Sequence, residues 1–320
     1  MTARRLLRLL SIGVAAAVGY AAPAEAGCTV SSGAATLASS TSYDVRAGTV
    51  PVVAGSAGLN CSGAAISLLG GSYARATVTS ANGYVLKTTG GAGVAYAVSA
   101  DAAGQQTFTQ GGTVDYASGT LLSLLGIGGG TAFNTSLYAR LIAQPNLPAG
   151  TYRDTLTIAW DYSICNGVQV ALVCVDYERN KVTTTVAVTL VVTNDCRIAA
   201  PALSFGSVAL VRQFQPVAQS VLVDCTLGTT YKVAFTAGRS GNARPWRTMT
   251  DGAGHVLQYN LYRADGVTIW DETNPLPAAA AGTGAVTPAQ AQAYVAKVNP
   301  AQATPVAGAY ADQLTVVVTF

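Results

Sequence analysis

The chain has 320 residues, half of them hydrophobic and only 10% charged, with 34 glycines, six cysteines and one histidine. The formal net charge is +3, with no basic stripe and no interleaving of aromatic and basic residues, which argues against a nucleic-acid partner. A lone histidine leaves little material for an acid/base or nucleophilic site, so the composition points to a β-rich protein that packs against other protein rather than to an enzyme.

Residues 1–26 read as a signal peptide. Arg4, Arg5 and Arg8 form a basic start, Leu6 to Val18 is largely apolar, and Ala24-Glu25-Ala26 is a small-x-small cleavage site. A membrane anchor is the alternative, on a run that is short and rich in Ala and Gly. Cys28 invites a lipoprotein reading, which Glu25 disfavours. Removing the segment leaves an exported, nearly neutral chain that has only Gly27 ahead of Cys28, so it is expected to have no N-terminal segment to lend to a neighbour.

After residue 26, short β-like runs alternate with Gly, Ser, Asn and Thr turns: Tyr73–Thr79, Val94–Val98, Leu137–Ile142, Leu156–Trp160 and Val186–Val192. No stretch carries a convincing 3.6-residue apolar period. Pro288 to Val298 reads either as a helix or as a strand with a polar lead-in. Gly150, Tyr152, Asp154, Leu156 and Thr157 recur as Gly308, Tyr310, Asp312, Leu314 and Thr315. The expected organisation is therefore two related β-sandwich domains, 27–192 and 193–320, joined at Thr193-Asn194-Asp195. The recurrence of Asp154 and Asp312 at one place in the repeat points to a role in the fold.

The repeat narrows the pairing of the cysteines, which in an exported chain are expected to be oxidised. Cys28 with Cys61 opens the first unit and Cys196 with Cys225 the second. Cys165 and Cys174 flank Asn166-Gly167, a tight-turn signal. A metal site is the rival, without paired C-x-x-C knuckles; no metal or cofactor is expected.

Compared with the second unit, the first has three apolar insertions. Residues 62–71 carry Ile66, Leu68 and Leu69. Residues 120–130 carry Leu121, Leu122, Leu124, Leu125 and Ile127. Residues 164–175 carry Val168, Val170, Leu172 and Val173. Either these fold back as strands or plugs of the core, or their tips stay exposed as a binding surface.

The second unit resembles the spore coat protein U domain. The residues that carry the resemblance are Cys196, Phe205-Gly206, Asp224-Cys225, Arg247, Met249, Tyr259-Asn260-Leu261-Tyr262 with Ile269-Trp270, and Gly308-x-Tyr310-x-Asp312-x-Leu314-Thr315. The first unit matches more weakly. The family is best known as subunits of archaic chaperone–usher pili, and a two-domain member resembles their tip adhesins. The resemblance implies immunoglobulin-like domains, a periplasmic chaperone, an outer-membrane usher and a next pilin subunit as partners, and a place on the cell surface at the pilus tip. It also implies attachment to an abiotic or host surface through hydrophobic finger-like loops, here the three insertions.

The first unit has a further alternating strand, Thr185 to Val192, after its copy of the repeat, whereas the second unit's copy runs to Phe320. The second domain is expected to lack its final strand and to accept one from another chain, with Leu314, Val316, Val318 and Phe320 lining the groove. The alternative is a secreted coat or matrix protein that self-associates through β edges. A secreted hydrolase would have to use His255, which lies in a turn.

Overall fold

The computed structural model describes residues 27–62, 71–125, 132–142, 145–165, 169–170, 173–174 and 177–320. The leader 1–26 lies outside these, as do Ile66, Leu68, Leu69, Ile127, Val168 and Leu172.

The first domain opens with β1 (Gly27–Ser31), β2 (Gly33–Thr36), β3 (Ser40–Thr41), α1 (Ser42–Ala47), β4 (Val53–Ala54) and β5 (Gly58–Ser62). It continues through β6 (Tyr73–Ser80), β7 (Val85–Lys87), β8 (Gly93–Ser99), β9 (Gly112–Asp115), α2 (Gly119–Leu125), β10 (Ala132–Asn134) and β11 (Tyr138–Leu141). It closes with β12 (Gly150–Cys165), the short pair β13 (Gln169–Val170) and β14 (Val173–Cys174), and β15 (Tyr177–Thr193). The second domain has β16 (Cys196–Ala199), β17 (Val217–Cys225), β18 (Lys232–Phe235), β19 (Arg247–Thr250), β20 (Val256–Arg263), β21 (Leu276–Pro277), β22 (Gln290–Val298) and β23 (Val316–Thr319). The Pro288–Val298 stretch is thus a strand.

Period-two patterning builds the first core. Along β12, Tyr152, Asp154, Leu156, Ile158, Trp160 and Tyr162 are buried while the residues that alternate with them face outward. On β15, Val186, Val188, Leu190 and Val192 are buried in the same way. The two strands pair antiparallel from Gly150↔Val192 to Cys165↔Tyr177, so their inward faces meet one core. On its other edge β15 pairs in parallel with β2, and β12 pairs with β6. Facing this sheet is a smaller one in the order β1-β5-β10.

In the second domain the strands order β16-β17-β22-β20-β19 in one sheet and β21-β18-β23 in the other. Its core gathers Val221, Val223, Val233, Phe235, Leu261 and Trp270. Three disulfides are present: Cys28–Cys61, Cys165–Cys174 and Cys196–Cys225. The first and third join directly opposed residues of neighbouring strands, β1 to β5 and β16 to β17.

The domains meet over a polar seam. Helix α1 is fixed by a capping box between Thr41 and Asp44 and by Gly48 in the left-handed region at its end. It sets Ser42 Oγ 3.3 Å from Thr226 Oγ1, the Tyr43 hydroxyl 3.2 Å from the carbonyl it donates to at Asp224, and Arg46 Nη1 2.7 Å from the Gly284 carbonyl. Arg197 stacks over the Tyr43 ring at 4.5 Å. Burial, then the nearby carboxylates of Asp224 and Asp195, hold the Tyr43 hydroxyl above its ordinary pKa.

Candidate functional site: an open groove in the second domain and the far end of the first

The two domains treat equivalent strands differently. In the first, β15 lies between β2 and β12 and covers the core. In the second, the extended stretch 200–205 and strand β23 hold the places of β2 and β12, and no strand lies between them among the described residues. Leu203 and Phe205 still alternate inward, half-buried, on a segment with no ladder partner. Among the described residues, strand β23 pairs only with β18, from Lys232↔Thr319 to Phe235↔Val316.

Between these two edges runs a cleft of about 460 Å³. Leu203, Phe205, Phe235, Tyr294, Leu314 and Val316 are among the side chains that line it. In the first domain, Leu156, Ile158 and Trp160 are at most 1% exposed. Their counterparts Leu314, Val316 and Val318 are only partly buried against the second core. A row of half-covered aliphatic residues thus lies beside a strand edge that has no ladder partner among the described residues.

Four residues carried the expectation for this groove. Leu314 and Val316 line the cleft, and Val318 packs on the core further along β23. Phe320 does not line it. The ladder ends at Thr319, and Phe320 is 63% exposed beside Pro148, Ala149 and Leu227 at the domain boundary. The period of two was extended one residue past the strand.

The groove floor is held by groups that repeat. The Tyr259 hydroxyl donates to Asp312 Oδ2 across 2.6 Å, and Tyr96 donates to Asp154 Oδ2 across the same distance. Burial first, then the aspartate, drives both tyrosine pKa values far above the ordinary range. Asp312 also accepts from the Arg239 backbone N–H, and Asp154 from Ser80 and the Asn82 backbone N–H. Tyr152 and Tyr310 each donate back to the carbonyl four residues upstream, at Pro148 and Val306, over 2.7 Å. Arg247 is fully buried without a carboxylate partner. Its guanidinium donates to Thr236, Trp270 and Phe235 carbonyls and to the Asn260 side chain, and burial lowers its pKa. The motif residues Arg247, Asn260 and Trp270 therefore brace the core.

At the other pole, the roots of the three apolar insertions gather at one end of the first domain. Ser62 is paired with both Gly27 and Ala132; Ser163 is paired with Tyr73, and Cys165 with Tyr177. The Cys28 backbone N–H donates to the Glu178 carboxylate at 2.9 Å, tying the small sheet to the β12–β15 end. This end lies opposite the joint at 193–195. The second insertion begins as helix α2, not as a loop. Leu121 is buried in the core and Leu122 packs half-buried against it, so neither offers a free apolar tip. Helix periodicity turns them inward. Leu124 and Leu125 complete the helix; Val170 and Val173 sit on the β13–β14 pair.

His255 Nδ1 lies 2.6 Å from Asp251 Oδ2 on the exposed turn between β19 and β20. Among the described residues, no cluster of three His, Cys, Asp or Glu could hold a metal, and no helix is long and apolar enough to cross a membrane.

The Spore Coat Protein U domain matches this sequence twice, over residues 14–159 and 182–317. The chain belongs to the Spore Coat Protein U domain family. No curated protein sequence matches it. Among solved structures, a similar one is the chaperone–tip adhesion subunit pre-assembly complex CsuC–CsuE from archaic chaperone–usher Csu pili of Acinetobacter baumannii. The match spans 92% of this chain and 100% of that one, at 21% identity and a TM-score of 0.59. The CupB6 tip adhesin from Pseudomonas aeruginosa aligns over 91% of this chain and 94% of its own, at 13% identity and a TM-score of 0.33. This Spore Coat Protein U chain thus shares the two-domain β fold of a chaperone–usher tip subunit.

Proposed function

We propose that this protein is the tip adhesin of a chaperone–usher pilus. The second domain is a pilin-like domain short of its last strand, and it is anchored by accepting one. A periplasmic chaperone fills the groove first, and the N-terminal segment of the next pilin subunit replaces it at an outer-membrane usher. The first domain, at the exposed end of the fibre, attaches to an abiotic or host surface through its apolar insertions. The observation that carries this reading is the groove between 200–205 and β23, which the first domain fills with β15.

The test uses the full chain, alone and with a donor strand from a neighbouring pilin subunit fused after Phe320. Alone it should associate; the fusion should be a monomer with a higher melting temperature of the second domain. A monomeric chain whose stability the fused strand leaves unchanged would reject the reading. Ordered self-association that the fused strand does not prevent would favour a coat or matrix protein joined through other edges.

A further inference from the structure

We infer that β15 acts as the donor segment of the second unit, used within one chain to complete the first. The joint between the two domains is then a covalent copy of the joint between this tip and the next subunit. The inference rests on the reading of the groove as a strand acceptor.

Three independent observations converge. First, the family match starts at residue 182, inside β15, for the copy whose first cysteine is Cys196, and at residue 14 for the copy that begins with Cys28. The matched region of the second copy therefore takes in residues 182–193 of β15. The first copy ends at residue 159, within β12, before β15 begins.

Second, β15 sits where a donor would. It runs antiparallel to β12 and parallel to β2, and only Asn194 and Asp195 separate it from β16. That short passage is pinned. The Asp195 carbonyl accepts from the Thr226 N–H at 2.9 Å, and Thr229 Oγ1 donates to Asn194 Oδ1 at 2.6 Å. The body of the second unit is thereby seated on the first at once.

Third, the first domain's half of that seat has an uncovered twin. Pro148 is bridged to Leu227 of the second domain, and Asn146 donates to the Thr283 carbonyl. By the repeated tyrosine contact, Pro148 corresponds to Val306. Val306 is 59% exposed, and with Val208 it borders a cleft of about 230 Å³ at the end of the open groove. An apolar rim continuous with the groove is the seat of the next subunit's body, as the Pro148 rim is the seat of the second domain.

The partner is thereby specified. It is a strand with small aliphatic residues at four alternate positions, as Val186, Val188, Leu190 and Val192 provide, running antiparallel to β23. Within two or three residues it leads into a disulfide-bearing strand.

Two arms on the full chain test this. In the first, Cys165→Ser and Cys174→Ser are combined with a protease site between residues 165 and 177. The nicked chain is then incubated with an excess of labelled peptide copying residues 182–194. The two pieces should co-elute, and the peptide should enter the N-terminal piece and release the C-terminal one, which a scrambled peptide should not do. Pieces that co-elute but never exchange with the peptide overturn the inference and leave the proposed function standing. In the second arm, a copy of residues 182–193 is fused after Phe320 through a glycine–serine turn. Conversion of the chain to a monomer supports the inference. Failure here, where a neighbouring pilin's strand succeeds, overturns the equivalence of the two grooves. Failure of both strands rejects the groove reading itself.

Discussion

Leu156 and Leu314 occupy the same place in the repeat, yet Leu156 is buried to 1% exposure and Leu314 is only partly covered. The difference is the strand β15, whose Val186 lies directly opposite Leu156. Replacing Leu156 by Ala should destabilise the first domain by about 2–5 kcal/mol, as for other buried leucines. Leu314→Ala should cost well under half as much in the unfilled chain and should approach the Leu156 value once a strand is fused in the groove. Denaturant titration of both forms checks the contrast. Equal costs in the filled and unfilled forms would contradict it.

The tyrosine–aspartate pairs set an alkaline limit. Burial, then Asp154, pushes Tyr84 up to about 12, and the same causes place Tyr96 beyond that range. An unfolded tyrosine loses its proton near pH ~10. Above that point the unfolded chain releases protons that the folded chain retains, so stability falls as pH rises. Unfolding free energy should be flat with respect to these groups below about pH 10 and decline from there toward 12. Tyr96→Phe should shallow the decline while lowering stability at neutral pH by about 1.5–3 kcal/mol, the worth of a hydrogen bond to a charged group. Chemical denaturation across pH 8–12 measures both effects.

Non-reducing peptide mapping of the purified protein should recover three cysteine pairs, 28–61, 165–174 and 196–225, with no free thiol. A peptide joining Cys61 to Cys165 would contradict the arrangement. Substituting both Cys196 and Cys225 by Ala should cost about 2–5 kcal/mol in the second domain.

The leucines of helix α2 test the attachment proposal. Leu121→Ser should destabilise the first domain by about 2–5 kcal/mol, because its side chain is part of the core. Leu124→Ser with Leu125→Ser should reduce attachment to apolar surfaces with little change in melting temperature. A core-like loss of stability in the double variant would remove these two residues from the attachment face.

The strands, the repeat and the disulfides were legible because each leaves a local trace: a period of two, a recurring Gly-x-Tyr-x-Asp-x-Leu-Thr, and cysteines at matching places. The helices were not. Helix α2 is one short run of leucine, threonine and serine beside glycines, too brief to show a 3.6-residue period, so Leu121 and Leu122 stood among the candidate attachment residues with their burial left open. Helix α1 leaves only a capping signal, Thr41 three residues before Asp44 and Gly48 at its end, and six residues carry no apolar stripe to draw attention to it. Alternation put Leu314 and Val316 on the face that lines the cleft, and it carried on to Phe320 because it says which face a residue takes and not where the ladder stops. The 200–205 wall was out of reach, since it has no ladder partner among the described residues to leave a paired pattern.

The seam around α1 has a mechanical meaning. Tyr43, Arg46 and the pinned Asn194-Asp195 passage leave no slack between the two bodies, and Arg197 closes over Tyr43 from the other side. A sideways push on the far end of the first domain therefore loads these polar contacts before the two bodies can bend apart. If the joint behind this protein copies this one, it is braced in the same way.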